Sequence, residues 1–307
     1  MILIITNAQD ESTTYVIQWL EFYNKKWHRI NESDLIDLDF LGKEIQFTVN
    51  EMSFLISEIS SVWYRRGFLN FNWEILFQDK SILRVLENEK LKITNFIYYL
   101  LNKKKHINTY FKSDLNKLIV TDLAKEIGLN VTDDYLFCNK KELKKLTKIK
   151  DCYISKPISG DSIMTYKDFV LFNYTTLIDF DQLEIDQFYP SLVQKYIPKK
   201  YELRIFYLEE CFYSIAIFSQ NDDQTAIDFR NYNKIKPNRR VPFKLPNFIQ
   251  KKLTLLMNKL NLNCGSIDMI VSPTDQYYFL EVNPVGQFGM VSYPGNYNLE
   301  KIIAQYL

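Results

Sequence analysis

Histidine is nearly missing from this sequence. Only His28 and His106 occur, neither lies in a recognisable motif, and acid–base work by histidine is therefore not expected. Cysteine is sparse as well. Cys138, Cys152, Cys211 and Cys264 are scattered with no CxxC pair, which argues against a disulfide framework or a zinc cluster and for reduced thiols in a cytoplasm. The glycine-rich nucleotide signatures GxxxxGK[ST] and GxGxxG do not occur, so any nucleotide site here is of another type. No apolar run approaches the roughly 18 to 20 residues of a membrane span, and the opening MILIITNAQDESTTY, lacking a basic lead, is expected to be a first strand and not a signal peptide. A net charge of +1 supplies no electrostatic reason for a nucleic-acid or membrane partner. A soluble cytoplasmic protein is expected.

What the chain does have is apolar content, 47% with 15% aromatic, over 307 residues, enough for two or three subdomains with a sizeable core. ILIIT predicts a buried strand and residues 12–25 a helix capped by Ser12 or Thr13. Short strand candidates (KWHRIN, EIQFTVN, SVWYRR) and a long helix over about 74–104 complete an N-terminal α/β domain, 1–111. An amphipathic helix ending at Gly128, the strand DYLFC, a lysine-rich helix at 140–149 and the strands CYISKPI and SIMTYKDFVLFNY form a middle lobe, 112–187. Beyond 188 the chain reads mostly as strands, interrupted by a helix at 247–260 and closed by one at 298–306. The expected class is α/β (α+β), its C-terminal lobe, 188–307, built on an antiparallel sheet.

Two apolar strands in that last lobe carry oxygen-bearing side chains. GSIDMIV holds Asp268, and YYFLEVNP ends on Glu281, Asn283 and Pro284. Alternation along a strand puts Glu281 and Asn283 on one face and Val282 on the other. Two carboxylates forced together in a dry site repel, and a divalent cation removes the conflict; oxygen ligands without nearby His or Cys favour Mg²⁺ over zinc. The plainer alternative is a pair of hydrogen-bonded acids at strand ends. Lys156 lies in an apolar strand before Pro157, and Lys117 sits in the first turn of a helix, where a cation opposes the dipole. Both positions make sense if phosphates approach, as does the polar turn SGDS after Lys156; alone, either lysine reads as solvated or snorkelling.

The order of these motifs resembles the ATP-grasp superfamily over about residues 112–307: Lys117, Lys156, VQKYIPKKYELRIF, DFR, Asp268 and Glu281-Val-Asn283-Pro284. VWYRRG, YELRIF and DFR resemble the graspetide (microviridin-type) peptide maturases, and the N-terminal third with EVNPVGQFGMVS resembles the grasp-with-spasm branch. The resemblance implies an ATP-grasp fold and an ATP- and Mg²⁺-dependent, carboxylate-activating ligase. Lys117 and Lys156 would contact nucleotide phosphates. Gln194, Lys195, Tyr196 and Ile197 would form the hinge that receives adenine, and Glu202 would accept the ribose hydroxyls. Arg204 and Arg230 would be the catalytic arginines that neutralise the transferring phosphoryl group or the substrate carboxylate. Asp268, Glu281 and Asn283 would hold one or two Mg²⁺. The loop after Lys156 is poorer in glycine than in many relatives, so individual phosphate contacts are not assigned to it.

Arg65 and Arg66 are implied to engage an acidic substrate. Adjacent strand residues face opposite ways, so at most one is expected to point into a shared cleft; a surface arginine pair is the alternative. The lysine run 140–150 reads as a solvated helix face. The implied partner is a ribosomally made precursor peptide, leader plus core, whose Asp or Glu side chain is joined to Ser, Thr or Lys; a homodimer or higher homo-oligomer is expected. An ATP-grasp ligase of the glutathione-synthetase or ribosomal-protein glutamate-ligase type shares every nucleotide residue and stays open. A non-catalytic nucleotide-binding protein would lack one of the lysines or metal ligands, and all are present.

Overall fold

The run Ile2–Thr6 forms the first strand, β1, and all five residues are buried, as a parallel strand covered on both faces requires. The computed structural model describes all residues except 74–78, 149–151, 160–162, 173, 221–226, 228–234 and 236. The chain divides into two units, one made of Met1–Asp114, Pro284–Ser292 and Asn298–Leu307, the other of Leu115–Asn283 and Tyr293–Tyr297.

In the first unit β1 is followed by α1 (Glu11–Phe22), β2 (Trp27–Asn31), β3 (Leu35–Leu41), β4 (Glu44–Val49) and β5 (Met52–Leu55). Then come β6 (Ser61–Tyr64), β7 (Asn70–Phe71), α2 (Lys80–Asn102) and β8 (Lys105–Ile107). Strands β2-β1-β6-β8 make a parallel sheet, and β5-β4-β3-β7 a mixed one in which β5-β4-β3 are antiparallel neighbours and β7 pairs parallel to β3. Leu3, Ile5, Ile36, Phe47 and Tyr98 share one core, and α1 packs against the last helix, Leu299–Tyr306. Helix α2 begins later than expected because Asp79 caps it, accepting from the amides of Ser81 and Ile82.

The start of α1 corrects two expectations. Its cap is Asp10, not Ser12 or Thr13: the Asp10 carboxylate accepts from the Ser12 amide at 3.1 Å, and the Ser12 hydroxyl also donates to it. The second concerns Arg65 and Arg66. β6 ends at Tyr64, so strand alternation no longer applies, and both Nε atoms reach the same Asp10 oxygen, at 3.0 and 3.2 Å. Arg65 is buried; its guanidinium donates to the carbonyls of Val285 and Gly286 and to Ser12 Oγ, and it lies 5.4 Å from the Phe288 ring centroid.

The second unit opens with α3 (Lys117–Glu126), β9 (Asn130–Val131), β10 (Asp134–Asn139), α4 (Lys140–Leu143) and β11 (Tyr153–Lys156). It continues with β12 (Ile163–Thr165), β13 (Val170–Phe172), β14 (Thr176–Leu177), β15 (Gln187–Lys195), β16 (Tyr201–Leu208), β17 (Cys211–Phe218) and β18 (Arg239–Pro242). Helix α5 (Asn247–Leu260) precedes β19 (Cys264–Val271) and β20 (Tyr277–Asn283). One sheet has the order β10-β15-β11-β14, β12 and β13 form a two-stranded ribbon, and the largest sheet runs β18-β17-β16-β19-β20-β9, with each neighbouring pair among its first five strands antiparallel. Leu253, Leu256 and Met257 of α5 and Val120 and Ala124 of α3 cover one face of the larger sheet. The mixed α/β class with an antiparallel sheet late in the chain is as expected. Among the described residues no helix is long and apolar enough to cross a membrane.

Among the described residues, left-handed positions fall to asparagine more often than to glycine in this chain of eight glycines. Asn24, Asn50, Asn108, Asn261, Asn296 and Asn298 all have positive φ.

Replacing Asp10 by Asn should destabilise the protein by roughly 3–5 kcal/mol, the cost of stripping a buried ion pair of one partner. Burial alone would raise the Asp10 carboxyl, but Arg65, Ser12 and Arg66 outweigh it and hold the group below the usual aspartate range. Its contribution is therefore complete above the unfolded value of about 3.9 and disappears as pH falls through the lower folded value. Urea unfolding of both proteins at neutral pH and near pH 3 should show the gap closing in acid.

Candidate active site

The face of the larger sheet away from α5 carries the charged groups. Ile267, Met269 and Val271 of β19 turn into the core, so Ser266, Asp268 and Ile270 turn the other way. In register, Asp268 lies opposite Arg204 of β16 on one side and Glu281 of β20 on the other, and Ser266 lies opposite Asn283. Strict alternation would put Phe279 on the same face as Glu281. Yet Phe279 is buried in the core while Glu281 faces outward with Asp268. A β-bulge resolves this: the ladder passes from Met269↔Phe279 to Asp268↔Glu281, leaving Leu280 as the extra residue.

The result is a row of four charges. Arg204 Nη1 lies 2.5 Å from Asp268 Oδ2, and Lys117 Nζ lies 3.0 Å from Glu281 Oε2. Lys117 reaches Glu281 from the first turn of α3, whose cap, Asn116, accepts from the amides of Leu118 and Ile119. The two carboxylates sit side by side with a cation at each end.

These groups border a cleft wholly within the second unit. Lys117, Asp268 and Glu281 line it, as do Lys156 at the end of β11, Pro157, and the segment Gln194, Lys195, Tyr196 and Ile197 at the end of β15. Arg204 and Asn283 stand beside it in the register, Arg204 joined to it through Asp268. The Gln194 side chain is already engaged, donating to Asp134 at 2.6 Å, and Thr132 donates to the same carboxylate oxygen. The Tyr196 amide donates to the Cys152 carbonyl at 2.8 Å, and burial raises its phenol above the ordinary tyrosine range. Arg230, with Asp228 and Phe229 of the DFR motif, lies outside the described residues, as do residues 160–162 of the SGDS turn.

Glu202 is buried at one end of the cleft with a partner that sequence reading overlooked. Lys199 donates to its carboxylate and, at 3.2 Å, to the Ile227 carbonyl; Ser219 Oγ donates to the same Glu202 oxygen at 2.9 Å. Burial pushes the Glu202 carboxyl up, against the pull of Lys199 and Ser219. Also overlooked were the apolar walls, Ile154, Ile270 and Leu280. The i to i+3 spacing of Lys199 and Glu202 is visible in the sequence, but only the fold shows that both are buried. The walls carry no local signal at all.

Among the described residues no group of three or more His, Cys, Asp or Glu side chains forms a metal cage. Asp268, Glu281 and Asn283 nonetheless offer two carboxylates and an amide oxygen on one sheet face, a hard, all-oxygen set that fits Mg²⁺ and not a thiophilic ion.

No protein-family model matches the chain, and no curated protein matches it in sequence. Solved structures do. Macrocyclase MdnC from Microcystis aeruginosa MRC, solved bound with precursor peptide MdnA, matches with a TM-score of 0.78 and 29% identity, over 100% of this chain and 98% of that one. The RiPP-associated ATP-grasp ligase of Chryseobacterium gregarium, solved with ADP and a leader and core peptide, matches at 0.78 and 23% identity, over 99% and 94%. Macrocyclase MdnB from Microcystis aeruginosa MRC matches at 0.75 and 22%, over 100% and 98%. The chain has the fold of these ATP-grasp ligases and macrocyclases. The likeness spans the whole chain, beyond the 112–307 over which the motif order carries the resemblance.

Replacing Lys199 by Met should destabilise the protein by roughly 3 kcal/mol, because Glu202 loses the cation that compensates its burial. Adding Glu202→Gln should recover most of that loss. A double-mutant cycle measured by urea unfolding checks the coupling; additive effects would dissolve the pair.

Proposed function

We propose that this ATP-grasp ligase matures a ribosomally made precursor peptide, leader plus core. In this reading it joins Asp or Glu side chains to Ser or Thr hydroxyls, or Lys amines, as ω-esters or ω-amides. The observation that carries the reading is the match to MdnC, bound with a precursor peptide, across essentially both chains. It is supported by the four-charge row Arg204, Asp268, Glu281 and Lys117 beside an apolar-walled cleft.

In the first step a carboxylate oxygen of the peptide attacks the γ-phosphorus of ATP. The bond from that phosphorus to the β–γ bridging oxygen breaks, ADP departs, and an acyl phosphate remains. Ile154, Ile270 and Leu280 offer apolar surface for the faces of adenine, while Tyr196 and Ile197 supply backbone groups for its edge. Glu202, anchored by Lys199, accepts from the ribose hydroxyls. Lys117 and Lys156 bind phosphate oxygens, and Arg204 and Arg230 oppose the charge gathered on carboxylate and phosphoryl group. Mg²⁺ held by Asp268, Glu281 and Asn283 would neutralise phosphate charge in this transfer. With Glu281 turned to that ion, Lys117 would be available to the nucleotide phosphates.

In the second step a hydroxyl or amine of the same peptide attacks the acyl carbon. The bond from that carbon to the phosphate oxygen breaks, phosphate leaves, and the proton of the attacking group departs with phosphate or solvent. One water is lost per ring. Holding both peptide groups in one cleft makes ring closure effectively unimolecular and keeps water from the acyl phosphate.

Asp268→Ala, Glu281→Ala and Asn283→Ala should each lower ATP-dependent dehydration by roughly a hundredfold or more, the scale of losing a preorganised charge-stabilising group. The readout is loss of water mass from a short peptide encoded beside the ligase, followed by mass spectrometry, with circular dichroism confirming the fold. Full activity in all three would sink the metal assignment, whereas ATP turnover driven by free amino acids but no peptide would favour the carboxylate–amine ligase reading. Because the Glu202 carboxyl is raised, ADP affinity should increase as pH rises through its value and it ionises. Glu202→Gln should flatten that calorimetric profile.

A further inference from the structure

Arg239 and Arg240 open β18, the edge strand of the larger sheet, and their side chains part at once. Val241 packs into the core under the sheet, so alternation turns Arg239 the same way and Arg240 toward the face that carries the cleft. Arg239 is engaged on its own side: its guanidinium lies 5.7 Å from the ring centroid of Phe218, which joins that core. Arg240 lies opposite Ile217 in register, and Ile217 opposite Glu202; in the next row Pro242 lies opposite Ile215, and Ile215 opposite Arg204.

The other charges described on this face are matched. Glu202 is held by Lys199, Asp268 by Arg204 and Glu281 by Lys117. Ile215 and Ile217, both buried, stand between Arg240 and those acids. Among the described residues no carboxylate pairs with Arg240, although its side chain is half-buried. A guanidinium stays charged at any working pH, and removing part of it from water without a counter-ion costs free energy that an arriving anion recovers.

We propose that Arg240 binds a second, non-reacting carboxylate of the peptide substrate, and so selects peptides that carry two acids at a fixed spacing. This rests on the ligase reading above. Strand spacing excludes the reacting carboxylate itself, which belongs beside Asp268 and the phosphates. Three steps of about 4.8 Å separate β18 from β19, roughly 14 Å in all, and an arginine side chain covers about half of that. The remainder is roughly two or three residues of extended peptide at about 3.3 Å each. A nucleotide phosphate is the competing anion. With the ribose at Glu202 on β16, phosphates directed to Asp268 on β19 run away from β18, so the peptide is the occupant that this placement favours.

The test uses the full chain, saturating ATP and the short peptide encoded beside it, with loss of water read by mass spectrometry. Arg240→Gln should raise KM for the peptide about tenfold, the scale of one charge-assisted pair. Its kcat at saturating peptide and its calorimetric ADP affinity should stay within about twofold, since uniform binding energy alone is removed. Arg240→Lys should fall between, and thermal unfolding of both variants should match the wild type. A set of peptides, each with one Asp or Glu replaced by its amide, locates the second acid. One replacement, two or three residues from the acid that enters the ring, should raise KM by the same factor with the wild type and no further with Arg240→Gln. An unmoved KM, effects that add for every peptide, or a matching loss of ADP affinity would each overturn the proposal and leave the ligase reading in place. A wild type that binds ADP yet dehydrates no peptide would remove that reading and the proposal with it.

Discussion

Asp268 and Glu281 face each other across adjacent antiparallel strands, and the rest of the cleft depends on that pairing being tolerable. Carboxylates directly opposite on one sheet face repel, and burial sharpens the repulsion. Arg204 and Lys117 resolve it by closing on the outer side of each acid, so the row reads positive, negative, negative, positive. This arrangement is neutral overall and exchangeable at its centre. In the proposed reading a divalent cation held between the acids would take over the role of the flanking lysine and leave it for a phosphate.

Glu202 shows the complementary solution for a single buried acid. Its carboxylate takes donors from Lys199 and Ser219 and is raised by burial regardless. A lysine and a hydroxyl aimed at one oxygen leave the other available, and fixed donors hold the acceptor in place at little entropic cost. Aliphatic walls from Ile154, Ile270 and Leu280 complete the contrast of a dry slot with anchored charge along its edge.

How much of this could be read from the chain follows the range of the interactions. Asp268, Glu281 and Asn283 were legible because an acid inside an otherwise apolar strand violates a local pattern, and strand alternation then orients it. Lys117 was legible from helix-start chemistry. The Leu280 bulge was not: Phe279 and Glu281 fit one face by alternation, and only the pairing with β19 separates them. Asp10 was missed as a cap because Ser12 and Thr13 are equally good candidates locally. What decides between them are Arg65 and Arg66, more than fifty positions away, converging on Asp10 just past the end of β6. Alternation misjudged those arginines for the same reason, since it holds only while the strand lasts.

The scarcity of histidine bears on the chemistry as well as on the fold. No imidazole lines the described cleft, and the lysines that do, Lys117, Lys156, Lys195 and Lys199, are suited to binding anions. A reaction that first converts a carboxylate into an acyl phosphate asks little of a base. The leaving group is good, and the departing phosphate is itself basic enough to take the proton of the attacking hydroxyl or amine. A cleft rich in cations and without histidine among its described lining is therefore suited to the proposed phosphoryl activation and acyl transfer, with the demanding part of catalysis carried by charge placement and exclusion of water.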